Sequence, residues 1–139
     1  MSAKIHTTNY FNTLITPPDD TKALSATVPP VKEGKKTIAN FQFELIYDAP
    51  YQYSSDEVLF QIYMLRKGAE HDPVAEEKQA FFSKGQACLR TSPLVKQYGW
   101  GIHHDAAGKV ALVAMESDAY RELIDDPEVK KVKAMRSSR

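Results

Sequence analysis

The run Tyr98-Gly-Trp-Gly-Ile-His-His-Asp105-Ala-Ala-Gly108-Lys-Val-Ala-Leu-Val-Ala-Met115 carries the reading of the fold. Two segments, 98–104 and 109–115, are rich in aromatic and β-branched residues and flank a short Asp/Gly loop, the pattern of an antiparallel hairpin. Asp105 to Gly108 suits a type I turn with Gly108 in the left-handed position. That turn sets Asp105 opposite Lys109, His104 opposite Val110 and Ile102 opposite Leu112. The two-residue strand period then puts Tyr98, Trp100, Ile102 and His104 on one face, and Gly99, Gly101, His103 and Asp105 on the other. The second segment is apolar on both faces, so both are expected to be covered. Two glycines on one face leave bare backbone that a ligand or another chain segment can approach closely. His103 lies at the edge of that bare strip. Equally, the glycines can relieve packing beneath a helix, with His103 a satisfied rim histidine.

Upstream of the hairpin, residues 6–15 (His-Thr-Thr-Asn-Tyr-Phe-Asn-Thr-Leu-Ile) favour a first strand. From 16 to 36 apolar content collapses, and Pro17-Pro18 and Pro29-Pro30 mark an irregular Pro-rich arm. Residues 37–47 satisfy two periods. Phe41, Phe43, Leu45 and Tyr47 alternate like a strand, while Ile38, Phe41 and Leu45 behind a Thr37 cap fit a helix, the reading preferred here. Ser54-Ser-Asp-Glu57 has capping-box spacing before Val58, Leu59, Ile62, Tyr63 and Leu65, and Gly68 can take the left-handed cap. A third helix is expected to start at Asp72-Pro73, to end by Gly85 and to bury Val74, Phe81 and Phe82. Ser92-Pro93 repeats that start signal over a turn or two. Beyond the hairpin, Ser117 caps one helix, and Asp126-Pro127 opens another with Val129, Val132 and Met135 on one side.

The expectation is therefore an α+β fold. A small antiparallel sheet, made of the first strand and the 98–115 hairpin, is covered by several helices, all in one domain over 1–139. The chain has 139 residues, enough to bury about two-thirds of its unfolded surface without a metal or disulfide. Eighteen basic residues balance eighteen acidic ones, which excludes a global footprint for nucleic acid or an anionic membrane. Zero net charge also permits a homo-oligomer. Cys88 is the one cysteine and cannot form an intrachain disulfide. Residues 1–6 hold no apolar core of signal-peptide length, and no apolar run is long enough for a membrane span. A cytoplasmic protein is the expectation.

Candidate chemistry is weighed against ordinary structural roles. Cys88 with His103 or His104 could form a nucleophile and base, helped by Arg90, yet a lone cysteine is commonly a small buried hydrophobe. His6, His103 and His104 make a poor metal set, because adjacent histidines on a strand point to opposite faces. Lys130, Lys131, Lys133, Arg136 and Arg139 form a basic C-terminal stretch that could hold phosphate or nucleic acid, but it lacks aromatics for base stacking and suits a helix C-terminus. Tyr47, Tyr51 and Tyr53 with Tyr98 and Trp100 could line an aromatic cleft. There is no phosphate-binding loop, dinucleotide fingerprint or nucleophile elbow, so no cofactor is expected.

Several runs together resemble a family of small, mostly bacterial proteins known only as a domain of unknown function. They are His6-Thr-Thr-Asn-Tyr-Phe-Asn-Thr, Ser55-Asp-Glu-Val-Leu-Phe60, Phe82-Ser-Lys-Gly-Gln-Ala-Cys-Leu-Arg-Thr-Ser-Pro-Leu94, Tyr98-Gly-Trp-Gly-Ile-His103 and Lys133-Ala-Met-Arg-Ser. The resemblance spans nearly the whole chain and implies a single-domain architecture, with no activity and no catalytic residues to carry over. Relatives resemble one another in an Asp-Cys-Pro near the end of the first strand. Here the chain reads Asp19-Asp20-Thr21, so a pairing of that second cysteine with Cys88 is not carried over. The favoured role is a small-ligand or protein-interaction domain with a cleft near Trp100 and His103, lined also by Arg90, Tyr98 and Tyr51. The alternatives are a small enzyme using Cys88 and a histidine, and weak nucleic-acid binding through the basic C-terminus.

Overall fold

The computed structural model describes residues 7–68, 75–85 and 88–135. Strand β1 (Thr13–Thr16) is followed by helices α1 (Ile38–Tyr47), α2 (Ser55–Arg66) and α3 (Ala75–Phe82). A 3₁₀ turn (Leu89–Thr91) and a one-turn helix α4 (Pro93–Lys96) lead into β2 (Trp100–His104) and β3 (Val110–Ala114). Helix α5 (Asp118–Asp125) and β4 (Lys130–Lys133) complete the fold. The sheet order is β3-β2-β1-β4, with β1 antiparallel to β2 and parallel to β4. The architecture is α+β, and the sheet is mixed rather than purely antiparallel.

The hairpin has the expected register. His104 pairs with Val110 and Ile102 with Leu112, the Gly108 N–H donates to the Asp105 carbonyl, and Gly108 takes φ +83°. Segment 37–47 is a helix because Thr37 and Asn40 form a reciprocal capping box and the apolar face has a sheet to cover. Ser54 and Glu57 cap α2 in the same way. Helices α1, α2 and α4 lie over the face that carries Trp100 and Ile102. Ile15, Ile46, Val58, Ile62, Leu89 and Ile102 fill the core between them. Helix α5 lies on the other face.

Two elements differ from the sequence expectation. The first strand begins only at Thr13, because Asn12 takes φ +48° and turns the preceding residues away. Residues 7–9 dock instead on the start of α2. The Thr8 N–H and hydroxyl both donate to Asp56, and the Asp56 N–H donates to Asn9, which satisfies a donor that the helix leaves open. The expected last helix is β4. Its residues complete the outer edge of β1, with the Lys130 N–H donating to Asn12 and the Ala134 N–H to Thr16. Pairing of that edge overrides the helix propensity of a lysine-rich segment. The Asp72-Pro73 start of the third helix lies outside the described residues.

Both sheet edges are managed. Segment 51–54 runs along β3, where Tyr51 donates to Val110 and Val110 donates to Tyr53. At the opposite edge β4 exposes Lys130, Lys131 and Lys133, a charge pattern that discourages pairing with another chain.

Candidate functional site

A cleft of about 690 Å³ opens between α1, α2 and segment 88–93, within the range of small-molecule sites. Each helix contributes one face. Ile38 and Gln42 stand one turn apart on α1; Leu59, Ile62, Tyr63 and Arg66 follow the i, i+3, i+4, i+7 stripe of α2. Phe81 closes one side, and Cys88, Thr91, Ser92 and Pro93 form the far wall. Thr91 and Ser92 reach this wall because the 3₁₀ turn hands directly to α4, where Ser92 caps the Leu94 N–H and Pro93 takes the first helical position.

Two polar side chains are built into the cleft's interior. Gln42 is 4% exposed and Ser92 1% exposed. The Ser92 hydroxyl donates to Gln42 Oε1 at 2.5 Å. The other end of the carboxamide, the Gln42 amide nitrogen, has no partner among the described residues. The Thr91 hydroxyl is engaged with the Cys88 carbonyl at 2.9 Å. Both charged residues at the rim are cations. Lys67 pairs with Glu77 at 3.0 Å and lies 5.2 Å above the Tyr63 ring; its hydrogen bond to Glu77 raises its pKa. Arg66 makes no ion pair among the described residues.

Cys88 is half-buried, and its thiol shares a hydrogen bond with the Tyr10 hydroxyl at 3.5 Å. Burial, and then the thiol itself, raise the Tyr10 pKa. The Tyr10 ring in turn meets His104 edge-on at 5.4 Å. The tyrosine therefore stands between the thiol and the nearer imidazole, and neither His103 nor His104 hydrogen-bonds to Cys88. His104 is fully buried, and desolvation lowers its pKa to about 4. Its Nδ1–H donates to the Ile102 carbonyl at 3.3 Å, and Nε2 has no hydrogen-bond partner among the described residues.

The remaining sequence candidates fall in three separate places. Trp100 and Tyr98 hold the Pro-rich arm: the Trp100 indole donates to the Thr27 carbonyl at 2.8 Å, and the Thr27 N–H donates to the Tyr98 carbonyl. The indole packs on Phe43 and Tyr47. His103 points to the opposite face, where Nδ1 and the Tyr51 hydroxyl lie 2.9 Å apart. Burial lowers its pKa, against Asp105 and Asp126. Tyr51 reaches it from the β3 edge through a left-handed backbone, φ +60°. Arg90 is a structural tie; its Nε–H donates to the Lys133 carbonyl at 2.8 Å. Trp100 and His103 thus share no cleft.

The bare strip beside His103 is filled. A Cβ on Gly99 would lie 2.4 Å from the Ser25 carbonyl oxygen, and one on Gly101 would lie 2.9 Å from the Tyr120 ring. The glycines admit a crossing arm and a helix side chain, not a ligand. Of the basic C-terminal stretch, Lys133 pairs with Asp19 at 2.9 Å and Lys131 donates to the Asp126 carbonyl; Arg136 and Arg139 lie outside the described residues, as does His6. Among the described residues no three His, Cys, Asp or Glu side chains are grouped to hold a metal, and no helix is long and apolar enough to cross a membrane.

Sequence reasoning missed Gln42, Ser92, Arg66 and Tyr63 as a group. The available signal was Gln42 itself, an amide one turn from Ile38 on a helix face that is otherwise apolar. Residues 5–139 match the family of unknown function DUF6157, and the chain belongs to that family. No curated protein matches the chain, and no solved structure does.

Proposed function

We propose that this member of DUF6157 is a small-ligand-binding protein whose site is the cleft between α1, α2 and segment 88–93. One observation carries the reading. A cleft of about 690 Å³ is walled in part by the Gln42 side chain, 4% exposed, whose NH₂ group has no partner among the described residues. The Gln42 nitrogen is not among the fully buried atoms left without a partner, so it opens to the cleft, where a ligand acceptor can replace water. The apolar sides from Ile38, Leu59 and Ile62 supply surface to bury, and Gln42 supplies orientation. Trp100, Tyr98 and Arg90 support the site from behind by holding the arm and the C-terminal strand. The single cysteine is in keeping with a cytoplasmic, reducing setting.

The experiment is a fragment screen on ¹⁵N-labelled protein. Bound fragments are expected to shift amides of 38–42, 59–66 and 88–93. Thr91→Trp, a change at an exposed position on the cleft wall, is expected to abolish those shifts while leaving the fold intact. Fragments that bind only at Tyr51 and His103, or only along the arm at Trp100, would overturn the assignment.

A further inference from the structure

Building on the ligand-binding reading, we infer that the cleft selects a small carboxylate with an apolar body, its carboxylate held between Arg66 and the Gln42 amide.

The argument is an inventory of what the cleft still has to offer. The Ser92 hydroxyl proton is spent on Gln42 Oε1, and its oxygen accepts from the Leu94 N–H. The Thr91 hydroxyl proton is spent on the Cys88 carbonyl. Lys67 is held by Glu77 and by the Tyr63 face. The two amide hydrogens of Gln42 and the five N–H groups of the Arg66 guanidinium remain as donors, and the Tyr63 hydroxyl, which can donate or accept, stands beside them. Among the described residues no Asp or Glu lines the cleft. A ligand that brought donors or a positive charge would meet other donors and two cations. A carboxylate accepts only, matches a guanidinium fork in two parallel hydrogen bonds, and leaves lone pairs for an amide. Among the described residues, one cation without an ion pair beside one neutral donor suits a monoanion better than a phosphate dianion. The rest of the lining, from Ile38, Leu59, Ile62, Phe81 and Pro93, is apolar and gives the remainder of the ligand a dry wall.

The test compares matched pairs: octanoate with octanamide, and 4-phenylbutyrate with 4-phenylbutyramide, titrated into the full chain by calorimetry with amide shifts read in parallel. Each acid is expected to bind at least about tenfold tighter than its amide, with shifts centred on 38–42 and 59–66. Arg66→Gln, at an exposed position, is expected to remove that advantage and leave amide binding as it was. Gln42→Glu keeps the side-chain shape and the bond from Ser92 but sets a carboxylate against the ligand's own, and is expected to weaken the acids alone. Should acids and amides bind the cleft equally, or should Arg66→Gln weaken both alike, the carboxylate assignment falls while the ligand-binding reading stands. If no member of either pair shifts cleft amides and the fragment screen is also silent there, both fall together.

Discussion

The two faces of β2 make opposite use of the same commodity, absent atoms. On the α5 face, Gly99 and Gly101 leave out side chains, and the space is taken up by the Ser25 carbonyl and the Tyr120 ring. On the face under α1 and α2, bulky residues form the core, and a cleft opens beyond them between α1, α2 and segment 88–93. A missing side chain marks where another part of the chain must come close; an unused polar atom marks where something foreign can. The first is a packing device and the second is the candidate site.

The largest effect expected on the filled face is that of Gly99→Ala. The new Cβ would lie 2.4 Å from a backbone carbonyl, at a residue with φ +76°, so neither partner can step aside. Overpacking plus left-handed strain is expected to cost about 3–5 kcal/mol, read as a fall in the urea midpoint. A cost below about 1 kcal/mol would mean that the arm does not seat on Gly99, and the comparison between the faces would collapse.

Acid titration probes the dry interior on the helix side. His104 has a folded pKa of about 4 against 6.5 when exposed, so the unfolded chain takes up the proton first. Its contribution is full above pH 6.5 and declines as pH falls towards 4, by on the order of 3 kcal/mol. His103, also shifted downward by burial, adds with the same sign. Urea midpoints measured from pH 7.5 to 4 should fall steeply, and His104→Leu should flatten much of that slope. An unchanged slope in the variant would show that His104 is not the group being titrated.

Smaller again is Gly101→Ala, because its nearest neighbours are the Tyr120 ring and the Leu14 methyl, at 2.9 and 3.2 Å, and side chains can shift. About 2 kcal/mol is expected. Combined with Tyr120→Ala, the two losses should sum to more than the double variant shows, with a coupling of about 1 kcal/mol. Strict additivity would remove Tyr120 from the role given to it.

These contrasts also show what could be read from the chain before its structure. The hairpin's register is legible, because strand period and turn chemistry both act within 98–115, but its first strand starts only at Trp100, since Gly99 takes φ +76°. The Thr37 and Ser54 caps are legible too, each closed within four residues. That the glycine strip is covered is legible from the apolar partner strand; what covers it is not, because Ser25 and Tyr120 reach it from distant segments and no periodicity links them to Gly99. The Lys130–Lys133 strand reads locally as a helix for a related reason. Its local signals favour a helix, and only the open edge of β1, more than a hundred residues earlier, decides otherwise. The cleft shares this origin. Gln42, Arg66 and Ser92 are unremarkable apart, and become a site only where α1, α2 and segment 88–93 converge.

The smallest effect belongs to the open face. Arg66 has no ion pair among the described residues and lies exposed at the rim, so Arg66→Gln should change stability by no more than about 0.5 kcal/mol, measured by the same urea melts. That near-silence separates a residue kept for a ligand from one kept for the fold. Arg90 provides the contrast, since its side chain donates to the Lys133 carbonyl. Arg90→Gln should cost more, about 1–2 kcal/mol, and loosen β4, seen as faster amide exchange at Lys130 and Ala134. If the two substitutions cost the same, Arg66 is tied into the structure after all, and the open face has no cation to spare.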